Sequence, residues 1–253
     1  MARTVLYDDG VHRNILFEDF DAGGFAVQSN QHMIVVGDEA MLLDPGGHKI
    51  YAKLLSETFA TLGRANLKYL FLSHQDPDIV AALNGWLMTT DATAYISKLW
   101  GRFVPHFGLD RLIGERLLSI PDEGMIFTLG GAELFALPAH FLHSEGNFQL
   151  YDPRAKILYS GDLGASLGAD YDTVADFDAH LRYIEGFHRR YMVSRKAMRA
   201  WANMVRGLDI EIIAPQHGAM FKGKEMVKRF TDWCADLECG VDLIPEAYAV
   251  PTR

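Results

Sequence analysis

His74, Asp76 and Asp78 stand at alternate positions of the run Ser73-His74-Gln75-Asp76-Pro77-Asp78. Alternate residues of an extended loop project to the same side, so this segment can offer one imidazole and two carboxylates to one point. The same residues can also be read as a cap on the helix that follows, with Asp78 favourably placed near its positive N-terminus. Three further candidates come later: His143 in Phe141-Leu142-His143-Ser144, Asp162 in Tyr159-Ser160-Gly161-Asp162, and His217 in Ala214-Pro215-Gln216-His217-Gly218. The chain has two cysteines, Cys234 and Cys239, and their spacing is not C-x-x-C. With thiolates set aside, a metal would be held by imidazole and carboxylate. Hard carboxylate oxygens with imidazole suit iron or manganese, and affinity order alone also permits zinc.

Short apolar runs must position these groups. Met33 to Val36 and Met41 to Leu43 read as a hairpin around Gly37-Asp38-Glu39, ending in the turn Asp44-Pro45-Gly46-Gly47. His48 to Leu62 has helical spacing, with Ile50, Leu54, Leu55 and Phe59 on one face. Tyr69 to Leu72 is uniformly apolar, as a strand covered on both faces should be, and it runs straight into His74. A helix over Ile79 to Met88, a strand over Thr93 to Ile96, and strands over Leu134 to Leu137, Phe148 to Tyr151 and Ile157 to Tyr159 continue the alternation. A long helical stretch from Ala179 to Arg206 precedes a strand over Glu211 to Ile213, and the cysteines fall in a C-terminal helical segment. His74, His143, Asp162 and His217 thus sit at or just beyond strand ends, where ligand sites of α/β sheets gather.

Taken together and in order, these motifs resemble the metallo-β-lactamase superfamily over about Phe25 to Lys228, most of the chain. The resemblance implies an α/β fold, an αββα sandwich of two mixed sheets flanked by helices, and residues 1–253 are read as a single domain of that kind. Zinc hydrolases of the superfamily usually read His-x-His-x-Asp-His at the first motif, and here a carboxylate replaces the second histidine. That substitution is similar to the flavo-diiron branch, whose loop reads His-x-Glu-x-Asp-His. The branch implies two iron ions, one held by His74, Asp76 and His143, the other by Asp78 and His217, with Asp162 and an oxo or hydroxo group bridging them. Ions bridged in this way lie about 3.5–4 Å apart.

Three departures refine that expectation. Asp76 stands where flavo-diiron proteins have Glu, one methylene longer. Ile79 stands where they have a second His, which leaves the second ion an open coordination position. The chain ends at Arg253 without the flavodoxin-like domain that usually follows, which makes it most similar to the stand-alone oxygen-binding diiron proteins. The resemblance therefore implies dioxygen as ligand and a sensing or carrying role linked to chemotaxis receptors, with slow oxidase activity at most. Two rival readings share the site: a dioxygen or nitric oxide reductase fed by an external electron-transfer protein, and a zinc or manganese hydrolase that uses a metal-bound hydroxide.

Composition narrows the partners. Acidic residues outnumber basic ones, for a net charge of −9, and no Lys/Arg run forms a phosphate-binding stripe, so nucleic acid and anionic membrane are not expected partners. The N-terminus lacks the apolar core of a signal peptide and no stretch has the length of a membrane span, which reads as a cytoplasmic protein. No G-x-S-x-G, P-loop or dinucleotide fingerprint occurs. His140 lies three residues before His143 and competes with it as a ligand, with His143 preferred. His32 reads as a packing or surface histidine, with a role beside the metal pocket as the alternative. Tyr191 reads as core packing with a bonded hydroxyl, or as a tyrosine near the metals. His12, His48, His106, His180 and His188 read as ordinary helix or loop histidines.

Overall fold

Strands with apolar residues on both faces need a cover on each side, and the fold supplies it by stacking two sheets and placing helices outside both. The computed structural model describes residues 3–17, 27–109, 114–246, 248 and 250. The first sheet has seven strands in sequential order: β1 (Arg3–Asp8), β2 (His12–Phe17), β3 (Gln31–Val36), β4 (Glu39–Leu43), β5 (Asn66–Phe71), β6 (Thr93–Ser97) and β7 (Leu117–Ile120). The first four pair antiparallel and the last four parallel. The second sheet contains β8 (Met125–Leu129), β9 (Ala132–Pro138), β10 (Phe148–Asp152), β11 (Ile157–Gly161), β12 (Ile212–Pro215) and β13 (Phe221–Lys222), ordered β13-β12-β11-β10-β9-β8, with only β11 and β12 parallel. Both sheets are mixed, as expected.

Three apolar layers follow from strand alternation. On β3, Ile34 and Val36 face the other sheet and meet Phe127, Leu129, Phe148 and Leu150, while Met33 and Val35 face outward. That outer layer is closed by α1 (His48–Leu62), α2 (Pro77–Val80) and α3 (Leu83–Thr89), with Trp86 fully buried. The opposite outer layer is closed by α4 (Phe177–Tyr191), α5 (Arg195–Val205) and α6 (Lys224–Asp236). The chain is therefore an αββα sandwich. No helix of the described residues is long and apolar enough to cross a membrane.

Several elements differ from the sequence reading. The helix expected over Ile79 to Met88 is two, because Ala82 (φ −91°, ψ 3°) leaves the helical region between α2 and α3. The stretch expected from Ala179 to Arg206 is also two helices. Asp176 accepts from the backbone of Asp178 and Ala179, which starts α4 at Phe177, and Ser194 caps a new helix through Ala197 N–H. Phe59 is exposed rather than on the buried face of α1. Cys234 lies in α6, but Cys239 follows its end.

His12 is not an ordinary loop histidine. It sits on β2 with no exposed surface, its Nε2 2.6 Å from Asp152 Oδ2, and Asn14 Nδ2 donates to the same oxygen at 2.7 Å. Asp152 Oδ1 accepts the backbone N–H groups of Arg154 and Ala155, so one buried carboxylate ties the two sheets together. Asp152→Ala would remove the acceptor that these four donors share, leaving Asn14 Nδ2 only the Tyr159 hydroxyl, and should lower unfolding free energy by about 3 kcal/mol or more. Urea denaturation of the metal-free protein measures it, and a loss below about 1 kcal/mol would show that these donors carry little of the inter-sheet contact.

Candidate metal centre

The apolar run of β5 delivers Ser73 and His74 to the C-terminal edge of the first sheet, where Phe148 N–H bonds Ser73 O across the gap to β10. Pro77, at the first turn of α2, ends the extended loop at Asp76. Asp76 stands at the N-cap position and makes no side-chain capping bond, so its carboxylate is left to face the histidines. The loop after β9 carries His143, the end of β11 carries Asp162, and the end of β12 carries His217. Gly218 adopts φ +75°, and a side chain there would run into the Ser166 backbone and hydroxyl, so only glycine permits the turn that follows His217.

All six sequence-derived candidates meet at one place. Ligand atoms of His74, Asp76, His143 and Asp162 lie within 4.8 Å of one another. Asp162 Oδ2 is 2.9 Å from His143 Nε2 and 3.8 Å from His74 Nε2, and Asp76 Oδ2 is 3.7 Å from His74 Nε2 and 3.9 Å from His143 Nε2. The other oxygen, Asp162 Oδ1, turns away from that group and lies 3.3 Å from His217 Nε2, which is itself 3.3 Å from Asp78 Oδ2. One buried carboxylate thus faces two separate clusters. His74 Nε2 and Asp162 Oδ1 are buried without a conventional hydrogen bond. The Asp76 and Asp78 side chains are 34% and 41% exposed, so the site opens to solvent on the side of the first loop.

Supporting contacts that sequence reasoning missed orient these groups. His217 Nδ1–H donates to Gln28 O at 2.6 Å, which directs Nε2 at the carboxylates. Ser73 Oγ lies 2.9 Å from His74 Nδ1, and Asp44 Oδ1 accepts Ser73 N–H at 2.8 Å. Asp44 was visible only as part of a turn, and its left-handed backbone (φ 48°) is what brings its carboxylate under the loop. Burial pushes Asp44 up to about 6. His188 is a working histidine as well: its Nε2 accepts Gly164 N–H, its Nδ1–H donates to Ile184 O, and burial pushes it down to about 4. It pins the loop that carries Asp162 to α4.

The ambiguous residues separate clearly. His140 points away, its Nε2 2.8 Å from Asp122 O. His32 is buried between the sheets with its ring 4.8 Å from that of Tyr159, and burial pushes it down to about 3, as suits a packing histidine. Tyr191 is exposed rather than in the core. It stacks on Phe187 at 4.7 Å and lies 5.3 Å from the His143 ring, on the wall of a 660 Å³ cavity shared with Gln75, Phe141 and Ser144.

Comparison with known proteins places this geometry. Residues 27–218 match the family model described as ODP family beta lactamase. A structure described as a peroxy diiron species of chemotaxis sensor ODP shares 40% identity, covers 98% of this chain and 100% of its own, and superposes with a TM-score of 0.88. The apo state of chemotaxis sensor ODP from T. denticola gives 39% identity, 98% and 99% coverage and a TM-score of 0.87. The flavodiiron protein from Giardia intestinalis, at 18% identity, covers 88% of this chain and 57% of its own with a TM-score of 0.71, a likeness of fold alone. The chain spans 56% of an uncharacterized protein of Methanocaldococcus jannaschii, with 23% identity over 225 residues, and 35% of a second curated relative from Synechocystis.

The electrostatics carry a pH dependence. Against the effect of burial, Asp162 and Asp78 push the His217 imidazole up to about 9, and the neighbouring carboxylates also raise His74. Asp162, despite burial, is held well below the carboxylate range by His143 and His217. A histidine whose folded value exceeds its unfolded value of about 6.5 stabilises the fold fully below that pH and loses this contribution as pH rises through the folded value. Thermal melts of chelator-treated protein should therefore show falling stability from about pH 6.5 to 9. Protein loaded with zinc should lack that decline, because the ion takes the place of the proton. A flat profile for the metal-free protein would refute the pairing.

Proposed function

The chain belongs to the ODP beta-lactamase family, and on that premise we propose that it is a dioxygen-binding non-haem diiron protein acting as an oxygen sensor. The observation that carries the proposal is the position of Asp162, one carboxylate whose two oxygens face two separate imidazole and carboxylate clusters. The residues fit two cations. Three carboxylates converge with three imidazole Nε2 atoms, and the buried Asp162 Oδ1 and His74 Nε2 lack the hydrogen bonds that would otherwise satisfy them. Hard oxygen donors with imidazole nitrogen suit iron. His74, Asp76 and His143 would hold one ion, Asp78 and His217 the other, with Asp162 shared. Two irons, when bound, supply a redox-active centre that takes dioxygen as an exogenous ligand.

The chain's own residues set where that ligand enters. Ile79 follows Asp78 directly, is fully buried in the outer apolar layer, and offers no donor atom, so the second cluster holds one imidazole where the first holds two. The partial exposure of Asp78 leaves that side accessible. The Gln28 and Ser73 contacts fix the ring planes of His217 and His74, which limits rearrangement as charge changes at the centre. The likeness to a chemotaxis sensor supports a signalling role in the cytoplasm, with a chemotaxis receptor as partner.

Protein reconstituted anaerobically with ferrous iron should hold two irons per chain and develop a visible absorption band on exposure to oxygen that reverses on deoxygenation. Asp162→Ala should hold fewer than two irons and show no such band. An inert spectrum in the two-iron protein, or native protein carrying stoichiometric zinc without iron, would count against the reading and favour a hydrolase of the same fold.

A further inference from the structure

Gln216 stands between Pro215 and His217 at the end of β12, and its side chain is almost wholly buried. Its backbone is fixed on both sides: Gln216 N–H donates to Gly161 O at 2.8 Å, and Gln216 O accepts from Asn30 N–H at 2.5 Å. The terminal amide therefore has little choice of place. Nε2 lies 3.3 Å from Asp78 Oδ2, the same oxygen that lies 3.3 Å from His217 Nε2. The other end of the amide, Oε1, is buried without a hydrogen-bond partner. A buried carbonyl oxygen with nothing to accept from is costly, and a cation is one partner that would satisfy it.

We propose that the side-chain oxygen of Gln216 is a further protein ligand to the second ion, taking the coordination place that Ile79 leaves without a donor. The inference rests on the reading that Asp78 and His217 hold that ion. The torsion that ends a glutamine side chain is broad and roughly two-fold, so a half-turn exchanges Oε1 and Nε2 and brings oxygen beside Asp78. A cation attracts the carbonyl end of the amide dipole and repels the NH₂ end, whereas in its absence the carboxylate prefers the NH₂ end, as seen here. An amide oxygen is a hard, uncharged donor, suited to ferrous iron and held less firmly than a carboxylate. Gln216 would thus add one protein donor to Asp78, His217 and Asp162 when the ion is bound, and without the ion its NH₂ end hydrogen-bonds Asp78.

Cobalt(II) is the probe, because its visible absorption strengthens as coordination number falls. Wild-type protein, Gln216→Leu and Gln216→Glu are titrated with cobalt(II) under nitrogen, with affinity read by chelator competition. In the wild type two ions should bind. Gln216→Leu should bind the second ion about tenfold or more weakly, with stronger absorption from that site and the first ion unchanged. Gln216→Glu, which keeps an oxygen at the same reach and adds charge, should bind the second ion more tightly than wild type. Equal second-ion affinity and spectra in all three proteins would overturn the ligand role. If Gln216→Leu does not fold, an unchanged second-ion affinity in Gln216→Glu overturns it alone. Failure of wild-type protein to bind a second ion at all would instead overturn the two-ion reading of the site.

Discussion

The whole arrangement depends on an electrostatic constraint: three carboxylates and three imidazoles are held within a few ångströms of one another at the edge of two sheets. Carboxylates so placed repel each other, and burial strengthens that repulsion because little water is left to screen it. Asp162 is the centre of the problem, being the most buried of the three and the one approached from both sides. In the metal-free chain the imidazoles answer this in part, since the carboxylate neighbours raise both His217 and His74 against the effect of burial. Cations compensate better, because each can be shared among several oxygen and nitrogen donors at once.

The sandwich exists, from the viewpoint of the site, to make that convergence rigid. His74 and Asp162 extend from strand ends of different sheets, and Phe148 N–H to Ser73 O links the two edges directly. Beneath them, buried polar contacts replace what would otherwise be slack. Gln28 aims His217, Asp44 and Ser73 support His74, and His188 holds the loop after Asp162. Each of these partners lies on a different element, so no single helix or loop can move one donor without breaking a hydrogen bond elsewhere.

How much of this was legible in the sequence depends on the kind of signal. The fold class and the strands that carry His74, Asp162 and His217 were readable, because uniformly apolar runs ending in Gly, Pro or His have few alternative meanings. β1, β2, β7, β8 and the two-residue β13 went unread, since polar residues such as Asn14 and Ser119 break the apolar signal and find their place only through pairing with neighbouring strands or, for Asn14, with Asp152 of the other sheet. The breaks at Ala82 and Ser194 are local competitions that spacing alone does not decide. The six donors were found through motif order. Their supporting partners were not, because a backbone carbonyl such as Gln28 O or a turn residue such as Asp44 leaves no mark in residue type.

The asymmetry of the two halves explains why such a centre can bind a small ligand instead of closing on itself. Around the first cluster, His74, Asp76, His143 and Asp162 supply four donors, and His74 and Asp162 are nearly sealed from water. Around the second, Ile79 presents hydrocarbon at the position after Asp78, while Asp78 itself remains partly exposed. Ile79 directs its side chain into the outer apolar layer, so the second cluster has one imidazole fewer than the first and keeps an open side at Asp78. On the proposed reading, the strength of binding there is set by how readily the Gln216 amide gives up its place, since Ile79 offers the second cluster no donor.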